Sequence, residues 1–219
     1  MRTTIEGNPD YGELIVDLSP GDTIHAVSGA MNWMSSDIRP RARLLGGVVR
    51  SFARKVLGGS SLFVSEFTSE REGRVSLAPT FPGAVQSIRL SEQSVWLTPG
   101  SFLAASSGID LRTKFYGMRA FFSGTGAFLI EARGTGEVWF SSYGAIVERE
   151  LDRELIVDTG HVCAFEPTLD YKITGMGGIK QTLFSGEGLV LRFSGRGRIY
   201  LQTRNIHGTA GWLTRFLRR

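Results

Sequence analysis

The side chains best suited to acid–base, thiol or metal chemistry in this chain are three histidines, a single cysteine and a scatter of carboxylates. His25 lies four residues after Gly21, whereas His161 lies one residue after Gly160, so no shared site is built from equivalent positions. His207 stands apart near the end. Zinc chemistry needs clustered nitrogen and sulfur ligands, and no H-x-H, H-E-x-x-H or cysteine pair occurs. Cys163, within Val162-Cys-Ala-Phe165, cannot form an internal disulfide, and its apolar neighbours predict a buried, inert thiol. Glu148, Glu150, Asp152 and Glu154 alternate with Arg149, Leu151 and Arg153, the pattern of a solvated strand end. Asp17 and Asp158 precede glycine turns and suit local turn hydrogen bonding. Gly124-Thr-Gly126 and Gly195-Arg-Gly197 are too short for a phosphate-binding Walker loop, and Gly175-Met-Gly-Gly178 has no strand-to-helix context. The expectation is a non-enzymatic protein with no catalytic residues, no metal and no cofactor.

Charge is more informative than reactivity. From Arg39 to Lys55 there are six basic residues (Arg39, Arg41, Arg43, Arg50, Arg54, Lys55) and no acidic one, more than the chain's net charge of +4. Leu45, Val48, Val49, Phe52 and Val56 recur at helical spacing in the same stretch and predict a short amphipathic helix. The tail repeats the pattern, with Trp212, Leu213, Phe216 and Leu217 on one face and Arg215, Arg218 and Arg219 around it. Together, Arg43, Val48, Arg50, Phe52, Arg54, Lys55, Trp212, Arg215 and Phe216 form the candidate interaction surface. Apolar stripes flanked by arginine suit a cap on the core, a homo-oligomer contact, an anionic membrane surface or RNA.

The elements that would position these segments are strands. Short apolar alternations, rich in β-branched and aromatic residues, run through most of the 219 residues. They are punctuated by turns drawn from 28 glycines. An apolar run leading into a glycine turn occurs three times, at Leu14 to Val27 (Gly21), Val95 to Ala105 (Gly100) and Leu155 to Phe165 (Gly160). A glycine pair feeding a strand follows each, at Gly58-Gly59, Gly124-Thr-Gly126 and Gly186-Glu-Gly188. Gly100 and Gly160 are 60 residues apart but Gly21 and Gly100 are 79, which puts an insertion in the first copy, at Arg39 to Leu57.

The expected fold is all-β, with three pseudo-symmetric repeats of short antiparallel strands forming β-sandwich or double-stranded β-helix-like units. The repeats are expected at 5–90, 91–150 and 151–206, with a basic amphipathic tail at 207–219. Met1-Arg-Thr-Thr-Ile-Glu lacks the apolar core of a signal peptide, and no run approaches membrane-spanning length, so the expected location is cytoplasmic.

The chain resembles the altered-inheritance-of-mitochondria 24 family in several separated motifs. These are Gly7-Asn-Pro-Asp-Tyr-Gly-Glu-Leu14, Ser28-Gly-Ala-Met31, the Gly46-Gly…Arg54…Gly58-Gly-Ser-Ser-Leu-Phe-Val64 stretch, and Pro82-Gly…Ser101-Phe-Leu-Ala104. The resemblance implies a fold similar to the tryptophan RNA-binding attenuator protein, with three β units in one chain. It carries no catalytic residues. Eukaryotic relatives are linked to organisation of the mitochondrial inner membrane. The implied partners are further copies of the chain, with an anionic membrane surface and RNA as alternatives.

Overall fold

The structure, a computed structural model, describes residues 1–44, 63–115, 128–175 and 189–217. The described residues are all-β, with one short α-helix at their end. The first strands are β1 (Arg2–Glu6), β2 (Glu13–Leu18), β3 (Thr23–Val27), β4 (Met31–Met34), β5 (Ile38–Leu44), β6 (Phe63–Ser69) and β7 (Gly73–Leu77). The middle ones are β8 (Val85–Leu97), β9 (Phe102–Ser106), β10 (Ile109–Phe115) and β11 (Phe128–Ser141). The last are β12 (Ile146–Leu151), β13 (Leu155–Asp158), β14 (Val162–Phe165), β15 (Leu169–Gly175), β16 (Leu189–Gly195) and β17 (Gly197–Gln202), followed by helix α1 (Ile206–Thr214).

One pairing scheme recurs in the three groups. Each has a hairpin of seven residue pairs: Ile38↔Ser69 to Leu44↔Phe63, Ile109↔Gly134 to Phe115↔Phe128, and Leu169↔Gly195 to Gly175↔Leu189. Each has a bulged ladder in the same register. Met31↔Leu77 and Trp33↔Ser76 correspond to Phe102↔Phe140 and Ala104↔Trp139, and to Val162↔Leu201 and Ala164↔Tyr200. On the other side of the shared strand, a leucine of β2, β8 or β12 lies opposite a glycine: Leu18↔Gly73, Leu90↔Gly136 and Leu151↔Gly197. The side chain after each bulged strand then accepts from a backbone N–H: Ser35 from Arg74, Ser106 from Glu137 and Glu166 from Arg198, at 2.9, 2.9 and 3.0 Å.

This register corrects the glycine matching expected from sequence. Gly29, not Gly21, lies two residues before Met31, as Gly100 precedes Phe102 and Gly160 precedes Val162. Leu14 to Leu18 resembles Val95 to Leu97 in composition but pairs like Val85 to Leu90. The Val85 to Leu90 half of β8 pairs with β11, and β12 pairs with β17, so both belong to ladders made by later chain. The basic segment also begins differently from expectation, since Arg39, Arg41 and Arg43 lie on strand β5. The helix expected from Leu45 to Val56 falls outside the described residues.

The groups join edge to edge. β9 pairs with β3 through Ala104↔Ala26 and Ala105↔His25, and β14 pairs with β8 through Ala164↔Leu97 and Phe165↔Trp96. These are the same two positions of the scheme in both seams. A ten-stranded sheet therefore runs β12-β17-β14-β8-β11-β9-β3-β6-β5, with β10 paired to β11. It is flanked by the sheets β1-β2-β7-β4 and β13-β16-β15. β9 and β14 are buried at nearly every position because neighbours cover both faces. Three hydrophobic clusters fill the interior and share residues across the seams. Leu103, Ala104 and Trp139 pack with the first group, Cys163, Ala164 and Tyr200 with the middle one, and Trp96 with the last.

Two glycines between strands differ sharply in what surrounds them. Gly83 bridges Gly144 in parallel, accepts a hydrogen bond from Gly12 N–H at 2.8 Å, and faces the Ser142 carbonyl so closely that no Cβ fits. Gly100 looks onto open space. Gly83→Ala is expected to destabilise the protein by about 1–3 kcal/mol, the scale of overpacking. Gly100→Ala is expected to stay within ~0.5 kcal/mol, as for a neutral surface change. Chemical denaturation of the two variants checks the contrast.

Candidate functional site

Two places on the described surface are built well enough to interact with something. The first is a cleft of about 460 Å³ where β8 meets the last group of strands. Its walls are Ile88 to Leu90 and Glu92 to Val95 of β8, Arg133 of β11, the Glu166-Pro167-Thr168 connection, and Arg198 and Tyr200 of β17. Glu92 sits at the rim in a left-handed conformation (φ 56°), its N–H donating to Thr135 Oγ1 at 3.2 Å. Glu166 is fully engaged: Oε2 accepts from Arg198 N–H at 3.0 Å and Oε1 from Arg198 Nε at 2.7 Å. That hydrogen bond holds the Arg198 guanidinium above its ordinary pKa, and burial raises the Tyr200 phenol, so both keep their protons. The cleft can therefore offer hydrogen-bond donors to a ligand. Its best-placed carboxylate is already used in holding the fold.

The histidines, the cysteine and the turn aspartates lie elsewhere, each in a structural setting. His25 Nε2 is 3.4 Å from Glu66 Oε2, across the β3·β6 ladder. His161 Nδ1 is 2.7 Å from the Gln202 carbonyl. Asp158 accepts from Gly160 N–H and Asn205 Nδ2, the turn role expected of it. Asp17, by contrast, pairs across strands with Arg74 and Arg2, and the Arg74 hydrogen bond holds its carboxyl below the usual range. Cys163 is buried, and loss of water pushes its thiol up to about 12, so it stays protonated at ordinary pH. No group of three or more histidine, cysteine, aspartate or glutamate residues placed to hold a metal occurs among the described residues.

The second place is the C-terminal helix. Asn205 caps α1 by accepting from His207 N–H at 2.9 Å, and Thr209 Oγ1 reaches Tyr143 Oη at 3.2 Å, so the first turn is tied to the body. Beyond Thr209 every described residue of the tail is exposed. Trp212 is 57% exposed and Phe216 67%, their rings stacked edge to face at 5.0 Å. Arg215 lies between them, exposed. The helix starts at Ile206, one residue before the expected tail at 207–219, because Asn205 supplies the cap. No helix among the described residues is long and apolar enough to cross a membrane.

Of the expected interaction residues, the structure describes Arg43, Trp212, Arg215 and Phe216, and all four are exposed. Arg43 lies on β5, at one end of the pairing order of the ten-stranded sheet, and α1 follows β17, which is next to last at the other end. Val48, Arg50, Phe52, Arg54 and Lys55 lie outside the described residues. Sequence reasoning missed Glu166, Arg198 and Tyr200. Their contact spans 32 residues of chain, and only the recurrence of Ser35, Ser106 and Glu166 before matched strands could have flagged it.

Residues 3–204 match the family model described as Mitochondrial biogenesis AIM24. An uncharacterized protein of Streptococcus pyogenes serotype M6 is 30% identical over 226 residues, covering 99% of this chain and 91% of its own length. The crystal structure of a Streptococcus pyogenes protein, also 30% identical, superimposes with a TM-score of 0.85 and covers 99% of each chain. Glu166→Ala is expected to cost about 1–2 kcal/mol of stability, the loss of one charged hydrogen-bond partner. Glu166→Gln, which keeps an acceptor for Arg198 N–H, is expected to cost about half as much. Urea denaturation distinguishes the two.

Proposed function

As the chain belongs to the family described as Mitochondrial biogenesis AIM24, we propose that it is a non-enzymatic scaffold or interaction protein that works as an oligomer. The observation behind this reading is the pairing scheme found at residues 13–77, 85–141 and 146–202, joined through two seams of matching register. Three diverged copies of one β unit, related by a pseudo-axis, account for that recurrence. A chain built this way uses its repeated geometry to join like surfaces side by side. The Glu166 and Arg198 side chains, which a reaction in the cleft would need free, instead bond to each other. Sedimentation or light scattering over a hundredfold concentration range tests the assembly. A mass of two or more chains is expected, and a monomer at every concentration overturns it.

A second reading is supported by the tail: peripheral attachment to an anionic membrane surface. Trp212, Leu213, Phe216 and Leu217 are exposed together, with Arg215 beside them. Aromatic and basic side chains on one short helix suit the headgroup boundary, where each basic residue contributes about 1 kcal/mol. Flotation at low salt is expected to show binding to vesicles containing phosphatidylserine but not to pure phosphatidylcholine. The double variant Trp212→Ala, Phe216→Ala is expected to lose most of it. Equal recovery with both vesicle types removes the attachment.

A further inference from the structure

The seam between groups of strands occurs twice, yet the scheme provides for it three times. In each seam, the strand after the glycine turn in one group (β9 or β14) pairs with the strand before that turn in the preceding group (β3 or β8). The equivalent strands left over are β4 of the first group and β13 of the last. Both end their sheets, and no described strand pairs with their outer sides.

Burial reports the same vacancy. Phe102 and Ala104 on β9, and Val162 and Ala164 on β14, are at most 2% exposed. Met31 and Trp33 hold the same positions on β4 and are 43% and 41% exposed. Trp96, in the β8 seam, is 8% exposed, whereas its counterpart Ile156 on β13 is 49% exposed.

The edge chemistry is an independent observation. Proteins shield free strand edges with charge or proline, because unpaired N–H and C=O groups invite another strand. The other terminal strands are shielded this way. β5 has Arg39, Pro40, Arg41 and Arg43; β12 has Glu148, Arg149 and Glu150; β10 and β15 carry Asp110 and Lys114, and Asp170 and Lys172. β1 carries Arg2 and Glu6. β4 reads Met-Asn-Trp-Met and has no charge at all. β13 reads Leu-Ile-Val-Asp, and its one carboxylate is turned back onto Gly160 and Asn205.

We propose that β4 of one chain pairs antiparallel with β13 of a second copy, repeating the internal seam between molecules. This rests on the assembly reading above and names its contact. The register follows from Ala104↔Ala26 and Ala164↔Leu97: Trp33 lies opposite Val157, and Met34 opposite Ile156. The contact is head to tail, so it closes into a ring or extends into a filament according to the rotation between copies.

Cross-linking between chains that each carry one new cysteine tests the register. Directly opposed strand residues lie about 4.5–5.5 Å apart at Cα, within reach of a disulfide. The native Cys163 is buried and does not compete. Under mild oxidation, Met34→Cys mixed with Ile156→Cys is expected to give a linked dimer. Tyr11→Cys, exposed and off this edge, mixed with Ile156→Cys is expected to give roughly tenfold less. Trp33→Lys and Ile156→Lys, on already exposed positions, are each expected to weaken self-association about tenfold or more while the circular dichroism of the folded chain stays that of the wild type. An internal link in the Met34→Cys, Ile156→Cys double variant, formed within one chain, overturns the proposal. An oligomer that keeps its mass in both lysine variants and gives no cross-link sinks the β4·β13 contact and leaves the assembly reading standing. A wild-type chain that is monomeric throughout removes both.

Discussion

Every strand has two hydrogen-bonding edges, and the architecture follows from how each one is satisfied. A backbone amide or carbonyl shut away from water without a partner is costly, so an edge must meet a strand or stay wet. In the middle of this chain the edges meet strands: β8 and β11 pair over twelve residues and have neighbours on their outer sides. At the periphery, β1, β5, β10, β12 and β15 stay wet behind arginine, lysine and carboxylate, whereas β4 and β13 do not carry that shield. Side-chain composition follows that division. Small and apolar residues such as Ala26, Ala104 and Ala164 line the seams, where backbones on either side approach and both faces are covered.

The all-β class was legible from residue alternation, and so were most strands between Ala84 and Thr203. β10 and β15 were equally legible in principle. Ile109-Asp-Leu-Arg-Thr-Lys-Phe115 and Leu169-Asp-Tyr-Lys-Ile-Thr174 alternate residue by residue, but their charged partners resemble loop composition. β4 was hidden because its Met-Asn-Trp-Met has no periodicity. The mistaken equivalence of Gly21 with Gly100 has a clear physical origin. Ser-Pro-Gly21 and Thr-Pro-Gly100 are alike in sequence, but Gly21 has a positive φ (82°) and Gly100 does not, so like residues form different turns between different pairs of strands. Register is a property of the ladder, and a ladder is made of contacts between distant residues.

The candidate surface was legible only in part. The exposed aromatic tail followed from its spacing and its arginines. The cleft beside Glu166 and Arg198 did not, because its walls come from four stretches that meet only when the last group docks on β8. Thr98 shows what that docking requires. Its hydroxyl lies 2.8 Å from Ser101 Oγ and donates to the Val162 carbonyl at 3.0 Å, so a buried polar group is satisfied across the junction. Cys163 sits beside it as a small apolar filler, its sulfur 3.7 Å from Gln202 Oε1.

The unequal lengths of the ladders have a mechanical consequence. Tension applied between the outer groups must cross the two junctions, which hold three residue pairs at β3·β9 and two at β8·β14, before it reaches the twelve of β8·β11. The short junctions yield first, beginning with the detachment of β14. The long central pair remains as an unbroken spine on which a stretched chain can reassemble.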